Sequence, residues 1–144
     1  MTAGLTKSYP HIFKREIYLY ETDALGHLNN VSFIAYMEGA RFELFKEMGI
    51  FDPKDLSSLG LILARIECDY LKEVRYGDSL LICTRVKEIG RSSFTLDHLF
   101  LREGDGEVVA RGRAVLVSFD YENNHPRRLD PELRQNLKRY QGEG

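Results

Sequence analysis

The stretch Asn30-Val31-Ser32-Phe33-Ile34-Ala35-Tyr36-Met37-Glu38-Gly39-Ala40-Arg41-Phe42-Glu43-Leu44-Phe45-Lys46-Glu47-Met48 decides the architecture of this chain. Within it Phe33, Met37, Ala40, Leu44 and Met48 recur at spacings of four, three, four and four, the period of a helix with one buried face. Ser32, Glu43, Lys46 and Glu47 fall away from that stripe, and Gly49 is a natural C-terminal stop. Asn29 or Asn30 is suited to cap the start, because a short amide oxygen accepts from the unpaired amides of a first turn. Ile34, Phe42 and Phe45 widen the apolar surface beyond one stripe. The spacing therefore predicts a helix that is wrapped by a sheet and not merely laid on one.

Outward from this helix the period changes. On its N-terminal side His11 to Tyr20 is rich in β-branched and aromatic residues and predicts a strand, followed by a polar loop from Glu21 to Asn30. On its C-terminal side Ile62, Ala64, Ile66, Cys68 and Tyr70 alternate with Arg65, Glu67 and Asp69, the period of a strand with two unlike faces. Tyr76-Gly77-Asp78 reads as a turn, Leu80 to Val86 as a strand, and Gly90-Arg91 as another turn. Phe94 to Leu101 and Val108 to Phe119 are strands joined by the hairpin signal Gly104-Asp105-Gly106. Asp130-Pro131-Glu132 opens a terminal helix, with Pro at its first position. Short turns between close strands predict an antiparallel meander. The sum is an α+β domain, an antiparallel sheet of about five strands around one long helix. No linker or repeat divides it, so residues 1–144 are expected to form a single domain.

Composition narrows the function. Of 144 residues, 43% are apolar and 29% charged, which suits one globular domain that needs neither disulfide nor structural metal. A net charge of −2 removes the electrostatic case for a nucleic-acid partner. Cys68 and Cys83 lie in separate apolar stretches without C-x-x-C pairing and read as reduced core thiols. Met1 to Pro10 lacks the apolar run of an export leader, and no stretch approaches the roughly 20 apolar residues of a membrane span. The simplest placement is cytoplasmic.

Phosphate loops, G-x-G-x-x-G, H-E-x-x-H and G-x-S-x-G are all absent from the sequence. The densest chemistry is Glu21-Thr22-Asp23-Ala24-Leu25-Gly26-His27-Leu28-Asn29-Asn30, two carboxylates, a His and two Asn ahead of the apolar helix. A helix N-terminus offers unpaired amides and a positive dipole end to a developing oxyanion. A nearby carboxylate can serve as general base or nucleophile. By spacing alone, the plainer reading is that Asp23 and the Asn pair cap a turn and a helix.

The run Tyr20 to Asn30, followed by Phe33, Tyr36, Glu38 and Arg41, resembles the hotdog-fold acyl-CoA thioesterases of the 4-hydroxybenzoyl-CoA thioesterase family. Cys68-Asp69-Tyr70-Leu71 with Tyr76-Gly77-Asp78-Ser79-Leu80, and then Gly90-Arg91-Ser92-Ser93-Phe94, resemble later segments of that family. The resemblance implies that Asp23 is the general base or nucleophile and that the Asn30 backbone amide polarises the thioester carbonyl. His27, Asn29 and Asn30 also resemble the H-V-N-N run of related acyl-carrier-protein thioesterases, with Leu25 where those carry Asn. His27 is accordingly a catalytic candidate, and Gly26, Asn29 and Phe33 are candidates for substrate binding.

Arg91 and Ser92 follow a turn and suit a CoA phosphate or pantetheine, or equally a solvated turn. Glu38 and Arg41 have the spacing of an i,i+3 ion pair. His98 reads as structural, and His11 and His125 as solvated. The reading is an acyl-CoA thioesterase that uses no metal or bound cofactor. A hotdog hydratase or dehydratase using Asp23 with His27, and an acyl-CoA-binding module without turnover, are the alternatives. Open sheet edges favour a symmetric partner. The resemblance implies a homodimer or a homotetramer, with each site lying between the Asp of one subunit and the helix start of the other.

Overall fold

The computed structural model describes residue 5 and residues 7–142 of the chain. Part of the segment Met1 to Pro10 therefore lies outside the described residues, as do the last two residues of the expected domain. Strand β1 (His11–Glu16) passes through a 3-10 turn (Leu19–Glu21) and a polar loop into helix α1 (Asn30–Met48). A second 3-10 turn (Leu56–Leu59) precedes β2 (Leu61–Tyr70), β3 (Ser79–Ile89), β4 (Ser93–Arg102) and β5 (Val108–Asp120). The two-residue β6 (His125–Pro126) and helix α2 (Pro131–Arg139) complete the chain.

Helix α1 spans the residues that its period predicts. Asn29 caps it, its Oδ1 accepting from Val31 N at 2.9 Å. At the other end Gly49 takes a left-handed φ of 79°, and its N–H donates to Lys46 O at 3.0 Å. All five stripe residues are buried, as are Tyr36, Arg41 and Phe45. Five of these eight are Phe, Met or Leu, each contributing about 1.5–3 kcal/mol by burial. Their sum outweighs the several kcal/mol that one unpaired buried charge costs, so the helix carries Arg41 inward.

Arg41 corrects the expected ion pair: it is 4% exposed and makes no salt bridge with Glu38 among the described residues. His11 is corrected likewise. It is buried, not solvated, and burial pushes its imidazole pKa down. His98 is buried as expected, and His125 is exposed.

The sheet is antiparallel, with strand order β1-β3-β4-β5-β2 and β6 beside β5. Only β3-β4-β5 is a meander. Strand β2 lies on the far edge against β5, so the turn at Tyr76-Gly77-Asp78 does not join two neighbouring strands. Instead residues 71–78 cross the end of the curl. Leu71 N and Lys72 N donate to Val109 O, Val74 O accepts from Leu28 N, and Asp78 O accepts from Ile17 N.

Two other expectations are corrected. Strand β1 stops at Glu16 and not Tyr20, because the Glu21 carboxylate accepts from Tyr18 N at 2.9 Å and holds a turn there. In β2 a bulge between Leu63 and Arg65 shifts the register. Leu61 before the bulge and Ile66 and Cys68 after it pack on the core, so strict even-position alternation holds only from Ile66 onward.

The core under α1 has two apolar halves, one around Phe33, Met37 and Ile82 and one around Leu44, Phe94 and Leu116. Between them runs the cross-strand row His11–Thr84–His98–Gly112. Both cysteines are free; burial pushes the Cys83 thiol up to about 12 and Cys68 up to about 11. Among the described residues no helix is long and apolar enough to cross a membrane.

Candidate active site

The loop between β1 and α1 is folded on its own carboxylate. Asp23 Oδ1 accepts from Leu25 N at 2.8 Å and from His27 N at 3.1 Å, while Asp23 N donates to His27 O at 2.7 Å. Gly26 closes the turn with φ 79°, a left-handed conformation that suits residues without a Cβ, and its N–H donates to Asp23 O. The turn that spacing alone allowed is therefore real. It occupies one oxygen of Asp23 and leaves Oδ2 without a hydrogen-bond partner among the described residues. The amides of Leu25 and His27 hold the Asp23 carboxyl below its usual pKa, so the side chain is a carboxylate throughout the neutral range.

Asp23, His27, Asn30 and Phe33 line one hollow of about 380 Å³. Asn30 is the first residue of α1, so its backbone amide is one of the donors that a helix start leaves unpaired. Phe33 forms the apolar floor, edge-on to Tyr70 and to Phe100 at 5.3 Å each.

The other wall comes from residues that the local pattern did not single out for the site. Tyr70 ends β2 and donates its O–H to Asn30 O at 3.2 Å. Lys72, Glu73 and Val74 follow on the crossing segment. Glu73 Oε2 lies 2.9 Å from His27 Nε2, and His27 pairs through its backbone with Arg75. The Arg75 guanidinium, and after it His27, holds the Glu73 carboxyl below its usual pKa. Glu73 lies between two segments that resemble the family, and the crossing of residues 71–78 brings it to His27.

Of the remaining candidates, Gly26 shapes the turn and Asn29 spends its side-chain oxygen on the helix cap. Arg91 and Ser92 lie elsewhere. Their turn is bound to Leu129 N and Ser118 N, next to the apolar half that packs on the C-terminal end of α1. The start of α1 packs instead with the other apolar half, around Phe33. A second hollow, of about 340 Å³, lies on the outer face of the sheet. Its Asp97 is already paired with Arg85 and Arg113, and it has no helix start to polarise a carbonyl. Among the described residues, no three His, Cys, Asp or Glu side chains are grouped to hold a metal ion.

Comparison with known proteins agrees with this geometry. Residues 17–137 match the model of the thioesterase-like superfamily. YsmA of Bacillus subtilis, an uncharacterized protein, is 30% identical over 116 residues, 81% of this chain and 77% of its own. The long-chain acyl-CoA thioesterase FadM of Escherichia coli is 24% identical over 119 residues, 83% of this chain and 90% of its own. A Thermus thermophilus thioesterase, solved with coenzyme A and Zn, superposes with a TM-score of 0.81 at 30% identity, covering 96% of this chain and 99% of that one. The curled sheet around α1, the carboxylate hollow at its start and a family match over most of the length agree: this chain belongs to the thioesterase-like superfamily and is a thioester hydrolase.

Proposed function

We propose that this chain is an acyl-CoA thioesterase of the 4-hydroxybenzoyl-CoA thioesterase family, cleaving a thioester to a free acid and CoA. The observation that carries the reading is that Asp23, with one oxygen unbonded, lines the same hollow as the start of α1 of its own chain, so the two groups are read as acting within one subunit in place of the cross-subunit pairing that the resemblance implies. The carbonyl oxygen of the thioester lies against the Asn30 amide, where the helix dipole steadies the oxyanion. Asp23 either takes a proton from the attacking water or attacks the carbonyl itself to give an anhydride that water opens. The C–S bond then breaks and the leaving thiolate takes up a proton from water or from a side chain of the hollow, with His27 as the candidate donor. The coenzyme A in the Thermus structure and the acyl-CoA named for FadM support the choice of ester. The balanced charge and the free thiols fit a cytoplasmic enzyme whose 144 residues make one domain.

The active form is a homodimer or a pair of dimers. Strands β1 and β2 each leave an edge open, and Leu25, Val31, Tyr70 and Leu71 stand exposed beside the hollow. Arg91 and Ser92, which do not line the hollow of their own chain, are read as meeting the phosphate end of a CoA ester held by a second subunit. Sedimentation at micromolar concentration should show no monomer.

The deciding experiment measures thiol release from a panel of acyl-CoAs, with hydration of crotonyl-CoA alongside. Asp23→Asn keeps an oxygen for Leu25 N and His27 N, so the loop stays folded while the carboxylate is lost. Turnover should fall at least about a hundredfold with the Michaelis constant little changed. Near wild-type turnover by this variant removes Asp23 from the mechanism. Hydration without hydrolysis would identify a hydratase, and binding without either reaction a carrier module.

A further inference from the structure

We propose that Glu21 is the positioning residue of this site, clamping the Asp23 loop to the first turns of α1 through both its carboxylate and its carbonyl. The proposal rests on the hydrolase reading for its kinetic consequence but not for its geometry.

The Glu21 side chain is only 10% exposed and is fully engaged. Oε2 accepts from Arg15 Nη2 of β1 at 2.7 Å. Oε1 accepts from the Tyr36 hydroxyl of α1 at 2.7 Å and from Tyr18 N at 2.9 Å. The backbone carbonyl of the same residue accepts from Asn29 N at 2.9 Å and from Ser32 Oγ at 3.1 Å. One residue thus ties together the end of β1, the 3-10 turn, the helix cap and the first two turns of α1.

Its partners are themselves held. The Arg15 guanidinium lies 4.7 Å from the centre of the Tyr36 ring and 5.3 Å from that of Tyr18, so it is stacked as well as paired. Burial, and after it the Glu21 carboxylate, raises the Tyr36 phenol, which keeps its proton and donates. Charge-assisted bonds of this kind are strong, and a buried charge set loses most when one member is removed.

The placement explains why such a cluster stands here. Asp23 is two residues beyond Glu21, and Asn30 follows the Asn29 amide that Glu21 holds. The far side of the loop is pinned separately by the His27–Arg75 bridge. Glu21 therefore sets the spacing between the carboxylate and the helix-start amide, the two groups that must flank one carbonyl carbon. A displacement of about 1 Å between such groups can cost on the order of a hundredfold in rate.

The test compares Glu21→Ala, Glu21→Gln and Tyr36→Phe in the full chain. It reads kcat and KM on the best acyl-CoA, thermal stability, and amide hydrogen exchange over residues 22–30. In Glu21→Ala, kcat should fall at least about 30-fold with KM within about 3-fold of wild type. Exchange at Gly26, His27 and Asn29 should quicken at least about tenfold while β4 and β5 are unchanged. Glu21→Gln, which keeps an accepting oxygen, should return kcat to within about fivefold of wild type. If Glu21→Ala does not fold, Tyr36→Phe carries the test, with kcat lowered several-fold at constant KM. Unchanged kcat and unchanged exchange in the folded variant overturn the proposal, as does a rise in KM alone. If the wild-type chain hydrolyses no thioester, the functional reading fails and the exchange measurement still decides the clamp.

Discussion

Acidification from pH 7 to pH 4.5 should lower the stability of this fold by about 2–3 kcal/mol through His98 alone. The imidazole is 2% exposed in the middle of the core, with Nδ1 2.8 Å from Thr84 Oγ1 and Nε2 without a partner among the described residues. Burial first, then the neighbouring Arg41 and His11, pushes its pKa down to about 3. In the unfolded chain an imidazole takes up its proton near pH 6.5. Between those two values the unfolded state binds a proton that the folded state refuses, so stability falls as the pH falls. Each unit below the unfolded value costs about 1.4 kcal/mol, which over two units gives the figure above. Urea unfolding at both pH values, at one protein concentration, should show the loss in wild type. In His98→Gln the loss should be smaller by that amount, since every other titrating group cancels in the comparison. Parallel losses in the two proteins would refute the reasoning and mean that the folded core admits the proton.

Two further outcomes follow from particular contacts. A Cβ at Gly112 would lie 2.5 Å from Met37 Cε and 2.6 Å from its sulfur, with Met37 fully buried above it. Gly112→Ala should therefore cost about 1–3 kcal/mol, and less in a Met37→Leu background, as read by denaturant unfolding; equal costs in both backgrounds would place the clash elsewhere. Because loop amides depress the Asp23 pKa, kcat/KM measured as initial rates should hold until the pH drops below the ordinary carboxylate range of about 4. An acid limb near 6.5, the ordinary imidazole value, would transfer the base to His27.

Features controlled by a short window of hydrogen bonding and side-chain period are legible in the sequence alone. Helix α1 was legible from Asn29 to Gly49 because its stripe, cap and stop all lie within one local run. The gathering of Asp23, His27, Asn30 and Phe33 was legible for the same reason, since four positions within eleven residues at a strand-to-helix junction have little freedom to separate. The tertiary structure decided which strands lie beside one another and what the helix covers. Turn residues at Tyr76-Gly77-Asp78 report a reversal but not its destination, so they did not show that residues 71–78 cross to bring Tyr70 and Glu73 to the hollow. The same applies to Arg41 and His11, charged or polar by type and buried by position. Local propensity acts over a few residues through bonds to near neighbours. Strand order, burial and the second wall of a site come from contacts between segments distant in the chain, whose gain appears only when the sheet has closed around the helix.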